Sequence, residues 1–339
     1  MRYVIHGAGA IGATIGARLF EQGADVVLLA RGPHLAALRD RGLRFGDPER
    51  TRVLQIPVAG HPCEVAWRDD EVVVLAVKGQ DTPAALDDLA STASPSVAVV
   101  CAQNGVDNER QVLRRFADVY GMCVMMPATH LEPGAVDADS LPVVGVLDLG
   151  RIPSGTDERA ERIARDLSAS GFSSRPEPDI LRWKYEKLLL NLTSGVRAAC
   201  GPERDDTERD AEVRRDLEQR LQAEALACYA AAGIELPTPE ERRRRYDGML
   251  TPRPIPGRPR AAGSAWQSLA RGTGSVEVDA INGEIVLLGR LHGVPTPVNA
   301  LVQRVTRDLA QRGAPPGSMA LGDLAAYVEA AVAAEVGAR

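Results

Sequence analysis

The sequence predicts an α/β domain built on a doubly wound parallel sheet, followed by an all-α domain. Three observations carry this. A glycine-rich turn at residues 7–12 sits between a short β-branched run and a helical segment. Uninterrupted apolar runs recur over the first 120 residues, and nearly every readable segment after residue 179 has helical spacing. At about 150 residues per domain, 339 residues suit two domains, which we place at 1–176 and 177–339.

The elements follow in order. Tyr3–His6 reads as a strand, Ala10–Gln22 as a helix, Asp25–Ala30 as a second buried strand and Pro33–Arg41 as its returning helix. Val72–Val77 and Val97–Ala102 are apolar throughout, as parallel strands covered on both faces must be. Cys123–Pro127 and Leu141–Leu149 read as a hairpin around Glu132-Pro133-Gly134 that extends the sheet. Thr156–Ser170 is a charged amphipathic helix, and Ser173–Pro178 is the expected hinge. Beyond it lie helices at Asp179–Cys200, Thr207–Ala232, Ser275–His292, Asn299–Gln311 and Asp323–Val336.

Composition narrows the function. Forty Lys and Arg against 46 Asp and Glu give a net charge of −6, and only 13 residues are aromatic. The acidic balance argues against a dedicated nucleic-acid binder, and few rings are left for base stacking. No apolar run approaches the 18 or more residues of a membrane span. Five scattered cysteines without a C-x-x-C pair argue against disulfides or zinc and for a reducing, cytoplasmic setting. The five histidines form no i, i+4 pair, so no metal site is expected. Glu240–Arg245 reads as a solvated helix face.

Gly7-Ala8-Gly9-Ala10-Ile11-Gly12 is a G-x-G-x-x-G between a strand and a helix, the dinucleotide fingerprint of a Rossmann-type domain. Gly7 permits the turn, Gly9 lets the backbone approach a pyrophosphate, and Gly12 lets helix and strand pack closely. The second strand ends in Ala30-Arg31 with no carboxylate before Asp40. A guanidinium there suits a 2′-phosphate, so NADP (as NADPH) is the expected cofactor. Lys78 and Asn104 follow later strands, at the edge where open sheets bind ligands.

In the helical half, Lys187, Asn191 and Ser194 stand at i, i+4 and i+7 amid leucines, predicting one polar stripe beside a buried environment. Burial disfavours a charged lysine and suits it to general-acid work. Glu277 falls in the first turn of a predicted helix, where capping or an interaction with the lysine would each account for it.

These motifs, in this order, resemble the ketopantoate reductase (2-dehydropantoate 2-reductase) family. They are GAGAIG, Arg31, Lys78, Gln103-Asn104-Gly105, W-x-x-x-KLLLN at Trp183–Asn191, and S-x-W-Q…E-x-D-x-I-N-G from Ser264 to Gly283. The resemblance implies NADPH-dependent reduction of a 2-oxo acid, a small-molecule partner, in a cleft between the domains. Lys187 would be the acid, with Asn191 on the substrate and Ser264 on its carboxylate. Glu277 would orient the lysine or a substrate hydroxyl and approach the cofactor, and Asn104 would lie between nicotinamide ribose and substrate.

The chain departs from the family pattern at Ser194 and Gly195, where a second asparagine is usual, in the longer stretch Gln267–Glu277, and in the spacing of Trp183. These changes fall on the substrate half. A reductase of another ketone or imine and a non-catalytic NADPH sensor are the alternatives. Arg253, Arg258 and Arg260 on a proline-rich loop suggest a larger or more anionic substrate, and His130 would be the acid in a different dehydrogenase design. Apolar faces at Ile285–Leu291 and Asp323–Val336 are consistent with a homodimer.

Overall fold

The structure, a computed structural model, describes residues 1–203, 206–258 and 263–337. The chain forms two compact units, Met1–Lys184 with Pro237–Arg260, and Tyr185–Leu236 with Ala261–Arg339.

The first unit opens with β1 (Arg2–His6), α1 (Ala10–Glu21), β2 (Asp25–Leu29) and α2 (Gly32–Arg41). It continues through β3 (Leu43–Gly46), β4 (Thr51–Leu54), β5 (Val58–Ala59), β6 (Glu71–Leu75), α3 (Thr82–Ala90), β7 (Ala98–Cys101) and α4 (Asn108–Leu113). Next come β8 (Val119–Met125), β9 (Ala128–Thr129), β10 (Ala135–Ala138), β11 (Ser140–Pro142), β12 (Val146–Arg151) and α5 (Glu158–Ala169).

Seven strands form the main sheet in the order β12-β8-β7-β6-β1-β2-β5. All pair in parallel except β12, which runs antiparallel to β8. Alternate residues of each strand serve opposite faces, and the core divides accordingly. Tyr3, Ile5, Leu28, Val72, Val74 and Val100 pack with the apolar faces of α1 and α5. Val4, Val27, Leu29, Val73, Leu75 and Val99 pack with Leu86 and Leu89 of α3. This two-sided burial is the reason the strands read as unbroken apolar runs.

The expected hairpin is more elaborate than a turn. β12 does extend the sheet, with Val146 opposite Met125. Between β8 and β12, however, the chain leaves for a second sheet, ordered β4-β3-β10-β9, and then makes β11. Pro127, Pro133 and Pro142 remove ladder donors along that stretch, so it cannot run as two long paired strands.

Ser173–Pro178 is not a hinge. Leu147 N–H donates to the Ser173 carbonyl (2.9 Å), Leu149 N–H to Arg175 (3.2 Å), and Glu177 N–H to Leu149 (2.8 Å). The segment is thereby laced along the outer edge of β12. The boundary expected at 176/177 instead falls inside α6 (Ile180–Asn191), between Lys184 and Tyr185.

The second unit holds the end of α6, then α7 (Ser194–Cys200) and α8 (Glu208–Ala232). The chain next contributes α9 (Pro239–Tyr246) and β13 (Leu250–Pro252) to the first unit. It finishes in the second unit with α10 (Ser264–Ala270), α11 (Val278–His292), α12 (Pro297–Gln311) and α13 (Leu321–Gly337). Leu188, Leu192, Leu221, Ile285 and Val302 are buried there. So are Asn282 and Asn299, whose amides are bonded: Asn282 Nδ2 donates to the Leu192 carbonyl (3.1 Å) and to Asn299 Oδ1 (3.0 Å). The Glu224 carboxylate accepts the Val298 and Asn299 amides at the start of α12.

Two contacts stand out among those that fix the inserted segment to the rest of the first unit. β13 pairs antiparallel with β11, and Arg245 grips Asp148 of β12 with Nε–Oδ2 2.5 Å and Nη2–Oδ1 2.6 Å. Arg243 and Arg244 are exposed, as a solvated helix face requires, but Arg245 is buried. Removing one partner of a buried ion pair leaves the other charge uncompensated, at about 3–5 kcal/mol. Asp148→Ala should therefore lower the urea unfolding midpoint by that equivalent, and adding Arg245→Met should restore more than half of the loss. An Asp148→Ala midpoint equal to wild type would show that the clamp contributes nothing.

Candidate active site

The site residues of the first unit sit at the carboxyl ends of four adjacent strands, β2, β1, β6 and β7. Gly7 leaves β1 at φ +106°, and a Cβ there would lie 2.6 Å from the Val77 amide nitrogen. At Gly12 a Cβ would meet the Gly7 carbonyl oxygen at 2.2 Å and Ile5 at 2.9 Å, so α1 lies directly on the turn. Gly9 differs: nothing described lies within 4 Å of the corresponding point, so this side of the turn is open. Gly7 and Ala8 donate their amides to the Leu29 carbonyl. The amides of Gly9, Ala10, Ile11 and Gly12 have no carbonyl partner among the described residues, as the first turn of a helix leaves them.

Arg31 is the N-cap of α2, largely exposed, with Nη2 2.8 Å from Asp81 Oδ1. Lys78 is the half-buried residue that opens the short turn Gly79–Asp81 after β6. Asn104 is half-buried in the turn after β7, where Gly105 takes φ +80°. A polar network braces these ends. Gln103 Nε2 donates to the Val77 carbonyl (2.9 Å) and to Thr82 Oγ1 (2.8 Å), and Thr82 donates to Asn108 Oδ1 (2.9 Å). Asn108 Nδ2 in turn donates to the Asn104 carbonyl (3.2 Å).

Sequence reasoning missed the lysine beneath this network. Lys184, buried, lies 2.6 Å from Glu109 Oε1 and donates to the carbonyls of Gln103 (2.9 Å) and Met122 (3.3 Å). Glu109 is equally buried. Nothing in the local pattern distinguishes Lys184 from its neighbours, because its partner is 75 positions away.

In the second unit Lys187 and Asn191 lie one helical turn apart on α6, both half-buried beside buried Leu188 and Leu189. Asn191 Nδ2 is buried with no hydrogen-bond partner among the described residues, an unmet donor that a ligand oxygen would satisfy. The expected stripe does not continue to Ser194. The helix breaks at Leu192–Thr193, and Ser194 opens α7. Thr193 Oγ1 turns back to the Leu190 carbonyl (3.4 Å), the local competition that disfavours helix interiors.

Glu277 is the N-cap of α11 rather than a first-turn residue, and its carboxylate makes no capping hydrogen bond. It accepts instead from Ser264 Oγ (3.2 Å). Capping therefore does not explain it, and Ser264 and Glu277 are brought together as a pair. Burial lowers the Arg271 guanidinium, with Glu277 opposing the shift. Arg258 lies 3.6 Å from Glu132, Arg253 is exposed, and Arg260 lies outside the described residues. His130 stands beside His34 in the first unit, ring centroids 4.4 Å apart. Among the described residues no group of three or more His, Cys, Asp or Glu could hold a metal, and no helix is long and apolar enough to cross a membrane.

Fold and site together define a two-unit chain whose first unit is a Rossmann-type sheet and whose second is helical. Residues 3–150 match the family model for ketopantoate reductase PanE/ApbA, and residues 179–310 match the model for its C-terminal domain. The chain belongs to the ketopantoate reductase family. It is 24% identical to the 2-dehydropantoate 2-reductase of Pyrococcus horikoshii, over 89% of this chain and 95% of that one. The corresponding figures for the Mycobacterium tuberculosis enzyme of the same name are 29%, 86% and 92%. Among solved structures it resembles a PanE/ApbA family ketopantoate reductase from Ralstonia eutropha (TM-score 0.75, 25% identity, covering 92% of this chain and 99% of that one). D-mandelate dehydrogenase in complex with NADH and anilino(oxo)acetate shares the fold (TM-score 0.78, 22% identity, the same coverage).

His6, the last residue of β1, gives the site's foundation a pH signature. Burial holds its imidazole down to about 4. The unfolded chain binds that proton near 6.5, so between these values the unfolded state holds more protons than the folded one. Its contribution is complete above pH 6.5 and is lost as pH falls towards 4, by at most about 1.4 kcal/mol per pH unit. The drop in unfolding midpoint from pH 7 to pH 5 should shrink in His6→Val. An equal drop in both proteins would assign the acid sensitivity elsewhere.

Proposed function

We propose that this chain is an NADPH-dependent oxidoreductase that reduces a 2-oxo acid to a 2-hydroxy acid, with ketopantoate or a close analogue as substrate. The observation that carries the reading is Glu277. It stands where a helix would use it as a cap, yet it is hydrogen-bonded to Ser264, in the unit that presents Lys187 and the unmet Asn191 amide. A scaffold that only sensed a nucleotide would have no need of a proton donor with polar anchors around it.

The glycine turn fits a dinucleotide: the amides at the start of α1 have no carbonyl partner among the described residues and the turn is open at Gly9, where a pyrophosphate would be received. NADPH supplies the hydride. Lys78 and Asn104 serve the ribose and nicotinamide end of the cofactor. Lys187 gives its proton to the carbonyl oxygen as negative charge develops there, and Asn191 Nδ2 holds a substrate oxygen. Ser264 has a single proton. While it donates to Glu277 it offers only lone pairs, so binding a substrate carboxylate requires it to turn away, and Glu277 then accepts a substrate hydroxyl or holds Lys187.

Arg31 favours NADPH over NADH. Its pairing with Asp81 is exposed, and such pairs contribute about 0–1 kcal/mol. A bidentate grip on a 2′-phosphate is stronger and displaces it.

Following NADPH oxidation against a panel of 2-oxo acids with ketopantoate included tests the substrate. Turnover of another acid but not ketopantoate would remove the narrow reading and keep the broad one. Lys187→Ala should lower kcat by about 100-fold or more while the NADPH Kd stays within about twofold. Unaltered kcat would exclude Lys187 as the acid. Arg31→Ala should weaken NADPH about tenfold and leave NADH alone. Equal loss for both cofactors would remove the 2′-phosphate role.

A further inference from the structure

The Ala8 carbonyl, in the middle of the glycine turn, is received by a side chain from the next βα unit. His34 of α2 places Nε2 2.7 Å from the Ala8 oxygen. Its other ring nitrogen, Nδ1, lies 2.8 Å from the Gly134 amide, which donates to it. A nitrogen that accepts an N–H carries no proton, so the imidazole is neutral and its proton is on Nε2, donated to Ala8. Two further contacts brace the ring. Gly134 is seated against α2, where an added Cβ would meet Ala37 at 2.9 Å, and His130 lies against the imidazole with ring centroids 4.4 Å apart.

The consequence follows from peptide geometry. Across a trans peptide the carbonyl and the following N–H point in opposite directions. A hydrogen bond that draws the Ala8 oxygen towards His34 turns the Gly9 N–H the other way. The Ala8 amide is fixed as well, donating to Leu29 (3.0 Å), so both ends of this residue are held by the protein. The Gly9 N–H has no protein acceptor among the described residues, and the Gly9 side of the turn is open.

We propose that His34 is a positioning residue for cofactor binding: through Ala8 it presets the Gly9 amide to receive the pyrophosphate of the nicotinamide nucleotide. The inference rests on the cofactor reading above and assigns a residue to it. His34 touches no reacting atom, so its effect falls on cofactor affinity and not on the chemical step. Without it, the Ala8–Gly9 peptide can rotate, and binding must include setting it.

The test uses the full chain and measures Kd for whichever nucleotide, NADPH or NADH, the wild type binds more tightly. The control ligand is the adenosine half lacking the pyrophosphate: adenosine 2′-monophosphate for NADPH, adenosine for NADH. His34→Ala should raise the nucleotide Kd about tenfold, leave the control ligand within about twofold, and leave kcat at saturating nucleotide unchanged. His34→Gln retains a donor for Ala8 and should recover part of the affinity. If His34→Ala does not fold, His34→Phe, which fills the space without a donor, carries the test through the same ratio of nucleotide to control affinity. An unchanged nucleotide Kd in a folded variant that lacks the donor overturns the proposal, as does an equal loss for both ligands, which would mark general loosening of the unit. Wild-type chain that binds neither nucleotide would overturn the cofactor reading and this inference with it.

Discussion

The close approach of backbone to backbone at Gly7 sets the geometry on which the candidate site depends. β6 exits so near β1 that a single methyl group at residue 7 would collide with the Val77 amide. Because the first turn of α1 then presses on that same turn through Gly12, strand end, turn and helix start form one rigid corner. Around it the parallel order β7-β6-β1-β2 brings Asn104, Lys78 and Arg31 to the same edge of the sheet. A parallel sheet buried on both faces has its ligand-accessible backbone at its strand ends, so the polar residues there are concentrated by topology.

Much of this was legible in the sequence because it is local. The glycine spacing, the unbroken apolar runs and the amphipathic helices each express a period or a turn within a few residues, and β1, α1, β2, α2, β6 and β7 emerged within one or two positions. What could not be read depends on partners far along the chain. Lys184 and Lys187 are three residues apart on one helix. Only the fold shows that the first meets Glu109 while the second lies in the other unit. Arg245 is one of four consecutive arginines, and its burial follows from Asp148, 97 positions earlier. Ser173–Pro178 has a linker's composition, yet its backbone amides and carbonyls are taken up along β12. The break before Ser194 is invisible to helical periodicity because the apolar pattern runs straight through it.

The candidate residues of the two units are held differently. In the first unit most polar groups are already engaged with one another: Gln103, Thr82 and Asn108 join strand end to strand end, and the amides at the start of α1 are the ones left over. What this surface leaves uncommitted is therefore backbone rather than side chain. In the second unit the candidates are individual side chains, Asn191 with its unmet amide and the Ser264–Glu277 pair. The departures at Ser194, Gly195 and Gln267–Glu277 fall in this second unit.

The excursion of residues 237–260 into the first unit also bears on how such a chain can be taken apart or recombined. The polypeptide passes between units three times, near residues 184, 236 and 260. A single cut therefore never yields two intact pieces. A fragment ending at Lys184 would expose the edge of β11 and leave the Asp148 carboxylate without the Arg245 guanidinium. The complementary fragment would carry an arginine-rich helix with nothing to pack on. Modular exchange of one unit between relatives thus demands at least three junctions, so the two units pass on as a single heritable piece.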